Sequence, residues 1–189
     1  MNCVRYLDIS RLNFDVDKMK DFCFLRRDYV LSIKDIKRQK QSLYVWYLLL
    51  TTLKEEGYKT ENLKWSIDKN GKWFVKNKSI NFSLTHSNNI VAIIVSDQCE
   101  VAIDVELCDE KVLAVAKLFN KPIDDLSIKD KIKYATEQWT RKECLIKNQN
   151  VVNFKTSTVL GFDNFEYIIT FGVSNEHSVE KFNICKVNI

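Results

Sequence analysis

The sequence predicts an α+β fold, and three observations predict it. Two stretches, 41–57 and 129–148, carry long helical patterns. Strand patterns come in consecutive runs, through 64–107 and again after 150, rather than alternating singly with helices. The 189 residues, 46% hydrophobic and 12% aromatic, suffice for a sizeable core in one large domain or two small ones. Each half then holds one long helix and a few strands. That predicts two similar α+β subdomains packed side by side, although no repeat, linker or low-complexity stretch marks a boundary.

In chain order, CVRYLDI (3–9) reads as a short strand. The basic stretch from Asp15 to Lys40 reads as helical or irregular. QSLYVWYLLLTTLKEEG (41–57) is the clearest helix: it is apolar nearly all round and therefore buried, and Gly57 can cap its C-terminus. KWSIDKNGKWFV (64–75) reads as two short strands about an Asn70-Gly71 turn. SINFSLTHSNN (79–89) is a strand running into a polar turn, and IVAIIVSDQCEVAIDVEL (90–107) is two strands joined at Ser96–Cys99. EKVLAVAKLFN (110–120) predicts a helix stopped near Pro122, and KDKIKYATEQWTRKECLIKN (129–148) a second long helix. From Val151 onward, alternation and turn signals predict antiparallel strands.

Composition narrows the class. No run of eighteen apolar residues suggests a membrane helix, and MNCVRYLDISRLNF lacks the apolar core of a secretory signal, so a cytoplasmic protein is expected. Six scattered cysteines with no C-x-x-C pair, and only two histidines, speak for reduced, mostly buried thiols and against zinc. The net charge of +4 favours an acidic partner but is too small, and its lysines too dispersed, to indicate nucleic acid.

Three stretches carry candidate chemistry. In VAIDVEL (101–107), strand alternation puts Val101, Ile103, Val105 and Leu107 on one face and Ala102, Asp104 and Glu106 on the other. The two carboxylates then lie roughly 7 Å apart at the backbone, close enough to share a cation. The same pattern also suits a strand with one solvated face. In WTRKECLIK (139–147), Trp139, Glu143 and Lys147 fall on one helical stripe beside Lys142; a routine Glu–Lys pair on a wet face has this spacing too. In NFSLTHSNN, His86 follows a strand in a turn rich in hydroxyls and amides, and upstream Lys72 sits in a turn where it meets either a phosphate or water.

Taken in this order, GKWF, NFSLTHS, VAIDVEL and WTRKECLIK resemble the motif set of the 4′-phosphopantetheinyl transferase superfamily. Its patterns are a GKP-type turn, an FNxSHS-type strand, an (I/V)G(I/V)D(I/V)E strand and a W-x-x-K-E-x-x-x-K helix. The length, and His86 ahead of the acidic strand, are similar to the larger, two-subdomain, surfactin-synthetase-activating type. The clear matches span residues 71–147.

The resemblance implies subdomains 1–97 and 98–189 in a pseudo-two-fold relation, with the active site at their interface. Asp104, Glu106 and Glu143 would hold magnesium, with manganese equally suited to oxygen donors. Coenzyme A would be the co-substrate. Lys147 would contact the phosphate at the reacting centre, Thr85 and His86 the 3′-phosphoadenosine end, with Lys72 beside it. Arg26 and Ser42 match coenzyme A contacts by offset rather than by motif. Asp104, Glu143 and Lys147 would be catalytic, with Glu143 the general base, directly or through a water. The partner would be an acidic acyl or peptidyl carrier protein with a serine acceptor, and an internal site would let a monomer work, with no nucleic acid or membrane involved.

Several positions depart from the pattern. Trp73 stands for Pro, Thr85 for Ser and Ala102 for Gly, and FNKPIDDL (119–126) lacks the family's usual continuation. A coenzyme A- or nucleotide-binding relative that has lost transfer is the alternative, and a structural protein whose acids solvate a strand is a third reading.

Overall fold

The computed structural model describes residues 1–69, 71–116, 125–174 and 178–189. The chain is α+β. Its strands are β1 (Asn2–Asp8), β2 (Trp65–Ile67), β3 (Trp73–Val75), β4 (Asn81–Ser87), β5 (Ile90–Ser96), β6 (Val101–Leu107), β7 (Val151–Leu160), β8 (Glu166–Ser174) and β9 (Ile184–Lys186). Its α-helices are α1 (Phe24–Ser32), α2 (Ile36–Glu55), α3 (Leu113–Ala116) and α4 (Ile128–Lys147). No helix among the described residues is long and apolar enough to cross a membrane.

One sheet has the order β4-β5-β1-β9, a second β6-β8-β7, and β2-β3 form a separate hairpin. Strand β5 lies inside the first sheet and is buried along its whole length, as its unbroken apolar run requires. Val91, Ile93 and Val95 face Leu43, Trp46, Leu49 and Leu53 of α2. The alternate residues Ile90, Ala92 and Ile94 pack with Ile103, Val105, Ile169 and Phe171 of the second sheet. Helix α4 covers the far face of that sheet, where the Thr140 and Thr170 hydroxyls meet at 2.6 Å and the Cys144 thiol donates to the Thr170 carbonyl. The layers are therefore helix, sheet, sheet, helix.

Helix α2 begins earlier than its apolar pattern predicts. Asp35 caps it by accepting from the Arg38 N–H at 2.7 Å, so the polar turns before Gln41 are helical as well. Its end is the expected one: Gly57, at φ +86°, donates to the Lys54 carbonyl while Tyr58 donates to Leu53, which is a Schellman ending. Helix α4 is capped by Ser127, whose hydroxyl accepts from the Asp130 N–H. The helix expected at 110–120 starts as a 3-10 turn, Glu110–Val112, followed by α3; residues 117–120, Pro122 and most of FNKPIDDL lie outside the described residues, as does Asn70 of the predicted turn.

One expectation about the C-terminal strands is corrected. Strands β7 and β8 pair antiparallel as expected, but β9 runs parallel to β1 at the edge of the first sheet, with Val4 opposite Ile184. A three-residue strand carries no directional signal; the route of the chain from β8 back across the molecule decides it. The thiols also differ: all six are free, but only Cys99 and Cys144 are buried, and Cys185 is exposed.

Candidate functional site

The site forms where two sheet edges meet. Strand β4 is the edge of the first sheet and β6 of the second, and their backbones are not paired. Instead, the hydroxyls of Ser83, Thr85 and Ser87 accept from the backbone N–H groups of Ile103, Val105 and Leu107 at 3.3, 3.3 and 3.1 Å. Strand alternation puts these three hydroxyls on one side of β4, and the same alternation points those three N–H groups out of the β6 edge. Bare edge amides are thus satisfied by side chains rather than by a partner strand.

The same hydroxyls orient the acids. Thr85 donates to Asp104 Oδ1 at 2.9 Å and Ser87 to Glu106 Oε2 at 2.8 Å. Val101, Ile103 and Val105 point into the core between the sheets, as alternation predicts. Ala102 points the other way, against Cys144, Val151 and Phe154. Its methyl therefore packs into the α4 face, opposite Gly172, where an added Cβ would meet the Phe154 ring at 2.8 Å. Core packing accommodates the Ala102 methyl.

Lys147, in the last turn of α4, reaches into the seam. Its Nζ lies 2.7 Å from Asp104 Oδ1 and 2.9 Å from the Ile103 carbonyl. Asp104 is 4% exposed, so this is a largely buried ion pair. Both partners share Oδ1, and Asp104 Oδ2 is buried with no hydrogen-bond partner. Glu106 is half-buried. Burial pushes its carboxyl above the usual range and the charges of Asp104 and Glu143 add to that, against the Ser87 hydrogen bond and the Lys147 ammonium. Glu143, one helical turn before Lys147, is half-buried and within electrostatic reach of Glu106. Among the described residues no three His, Cys, Asp or Glu side chains close into a ready-made metal cluster. Asp104 and Glu106 lie in the seam, Glu143 reaches Glu106 only electrostatically, and Lys147 is the counter-charge seated on Asp104.

The flanking grooves hold the remaining sequence-predicted residues. A groove of about 350 Å³ is lined by Arg26, Tyr29, Ser42, His86, Asp104 and Lys147. His86 is exposed there; partial loss of water and then the Lys147 and Arg38 charges lower its pKa. Arg26 is 5% exposed, and its guanidinium donates to the Ser42 carbonyl and hydroxyl at 2.8 and 2.9 Å. It stacks over Trp46 at 4.7 Å, has no partner on Nε, and is lowered by burial to about 10, so it stays charged at neutral pH. A second cleft, about 470 Å³, is lined by Lys72, Trp73, Phe82, Leu84, Ile146 and Lys147. Lys147 borders both, so the two run together at the seam. Trp139 and Glu106 share a third groove, and Lys142 is exposed with its ammonium 5.7 Å from the Trp139 ring.

One groove brings Thr85, His86, Asp104 and Lys147 together, and Ser87 ties Glu106 to the same seam, whereas Glu143 stands on α4 within electrostatic reach of Glu106. The sequence reading passed over Ser83 and Ser87, although S-L-T-H-S shows a hydroxyl at every second position. Thr85→Val tests the seam: it keeps the shape but strands the Val105 N–H and removes one donor to Asp104, so a loss of about 1–3 kcal/mol is expected in chemical denaturation. No protein-family model and no curated protein matches this chain.

Proposed function

We infer that the protein transfers the 4′-phosphopantetheine arm of coenzyme A to a serine of an acidic acyl or peptidyl carrier protein, releasing 3′,5′-ADP. One observation carries this reading: Asp104, with a buried and unbonded Oδ2, lies between Lys147 of the W-x-x-K-E-x-x-x-K-like helix and Thr85 of the strand bearing His86. A solvated strand face would leave no carboxylate oxygen both buried and unbonded.

A divalent cation such as magnesium fits this donor set: hard carboxylate oxygens, one orphaned on Asp104 and one group, on Glu106, whose carboxyl is pushed up by burial and then by the charge of Asp104. Asp104, Glu106 and Glu143 would hold it; when bound it would relieve their repulsion and offset charge on a diphosphate. Lys147 offers its ammonium to the transferred phosphate. Glu143 takes the proton from the attacking serine, directly or through a water. The serine oxygen bonds to the β-phosphorus as the bridging P–O bond breaks, and the electron pair leaves with 3′,5′-ADP. Arg26, Ser42, Lys72, Thr85 and His86 would position the nucleotide end.

Subdomains 1–97 and 98–189 in a pseudo-two-fold relation, acting as a cytoplasmic monomer, belong to the same reading. It is supported by each half supplying one sheet and one long helix, although β9 crosses back to the first sheet. The ion pair between Lys147 and Asp104 favours a second reading, a coenzyme A-binding relative without transfer, because the acids are already neutralised in part. Mass spectrometry of apo carrier proteins incubated with coenzyme A and magnesium separates the two: a gain of one phosphopantetheine supports transfer, and coenzyme A binding with unmodified carriers overturns it.

Cation binding should also depend on pH. Glu106 holds its proton more tightly folded than unfolded, so the folded state binds more protons just above its ordinary value of 4.5. Stability from this group is present at low pH and is lost as pH rises through the elevated value. A cation needs the carboxylate, so magnesium should stabilise the protein increasingly across the same window. Thermal melts with and without magnesium, in wild type and Glu106→Gln, check this; the variant should lose the trend.

A further inference from the structure

Trp73 has a position that the reading above does not use. It follows Gly71-Lys72 where the resembling motif has proline. Strand β3 holds it half-buried on the wall of the 470 Å³ cleft. Its ring is braced from behind: Trp46 packs on it edge-on at 5.0 Å and 61°, and the Arg26 guanidinium lies 5.8 Å from its centroid. Trp46 is fully buried and packs on Trp65 and Phe82 as well, so the indole stands on a rigid aromatic stack.

The cleft in front of it has two kinds of wall. Trp73, Phe82 and Leu84 line the first-sheet side, and Ile146 the α4 side. Ile146 is 62% exposed. Lys72 and Lys147 stand on the rim of this slot with Ser83 and Asp68, whose carboxylate accepts from the Lys72 N–H at 2.9 Å. An indole face among apolar neighbours, bordered by ammonium groups, suits a planar heterocycle carrying phosphate. An aliphatic chain would bury apolar surface here but leave the ammonium groups unused, and a bare phosphate would gain nothing from the slot.

We propose that Trp73 and Ile146 form a stacking slot for the planar base of a phosphate-bearing ligand, and that Trp73 makes this chain selective for the nucleotide end of that ligand. Under the proposed function the base is the adenine of coenzyme A, and the identity of the ligand, though not the slot, rests on that reading. The indole is a specificity-determining residue and takes no part in the chemistry at Asp104.

Isothermal titration of wild type, Trp73→Phe and Trp73→Leu with adenosine 3′,5′-bisphosphate and with 4′-phosphopantetheine tests it. Leucine keeps an apolar cap over Trp46 but has no π face, so both variants should melt close to wild type. Trp73→Leu should weaken adenosine 3′,5′-bisphosphate by about ten- to hundredfold, and Trp73→Phe by much less. Binding of 4′-phosphopantetheine should be the same in all three. Equal binding of the nucleotide by wild type and Trp73→Leu overturns the slot, as does an equal loss for both ligands, and in either case carrier modification by wild type would keep the transferase reading. Wild type that binds neither ligand, nor coenzyme A, overturns both.

Discussion

Asp104→Asn is expected to abolish transfer while leaving the protein folded. The asparagine carbonyl oxygen can take the place of Oδ1, accepting from Thr85 and Lys147 as before. The amide nitrogen replaces Oδ2, the atom with no partner, and turns an acceptor of cations into a donor. Lys147 loses an ionic partner but keeps the Ile103 carbonyl and is 29% exposed, so stability should fall by only about 1 kcal/mol. Turnover should drop by at least about two to three orders of magnitude, the scale of losing one electrostatic element of such a site. The shift in melting temperature on adding magnesium should vanish as well. An asparagine variant that modifies carriers at the wild-type rate, or keeps its magnesium shift, would place the cation elsewhere.

Lys147→Ala should cost more stability than Asp104→Asn. It leaves a carboxylate with 6% side-chain exposure held by Thr85 alone, and strips the Ile103 carbonyl of its donor. Removing one partner of a fully buried pair costs about 3–5 kcal/mol; because water reaches the lysine end here, about 2–3 kcal/mol is expected. Magnesium should then take over the counter-charge and stabilise Lys147→Ala more than it stabilises wild type. Chemical denaturation of both proteins with and without the ion measures this directly. Transfer should be lost in the variant even at saturating magnesium, because the ammonium that meets the phosphate is gone. Equal magnesium responses in the two proteins would mean that lysine and cation do not share Asp104.

The long periodic elements were legible because burial writes itself into spacing. Helix α2 and strand β5 are apolar on every side that touches protein, and β6 alternates because only one of its faces meets the other sheet. Strand and helix periods put the acids on one face and the α4 residues on one stripe, but their roles came from the resemblance, and His86, expected in the turn, lies within β4 because the strand runs on to Ser87. What could not be read depends on long-range placement. Nothing local says that β5 and β6, joined by a tight turn, belong to different sheets, or that β9 pairs in parallel with β1. The hydroxyls of β4 look like ordinary strand residues until the β6 edge is brought against them. Arg26 is similar: a basic helix suggests a wet surface, and only the fold puts this side chain under Tyr29 and over Trp46.

The parallel pairing of β9 with β1 ties together segments some 180 positions apart in the chain. During synthesis β1 must wait for some 180 further residues before its outer edge is covered. Loop closure over that span makes the last step of assembly slow compared with the local formation of α2 or the β7–β8 hairpin. A nascent chain halted before Ile184 would expose one flank of β1, and that intermediate is where association with other chains would begin.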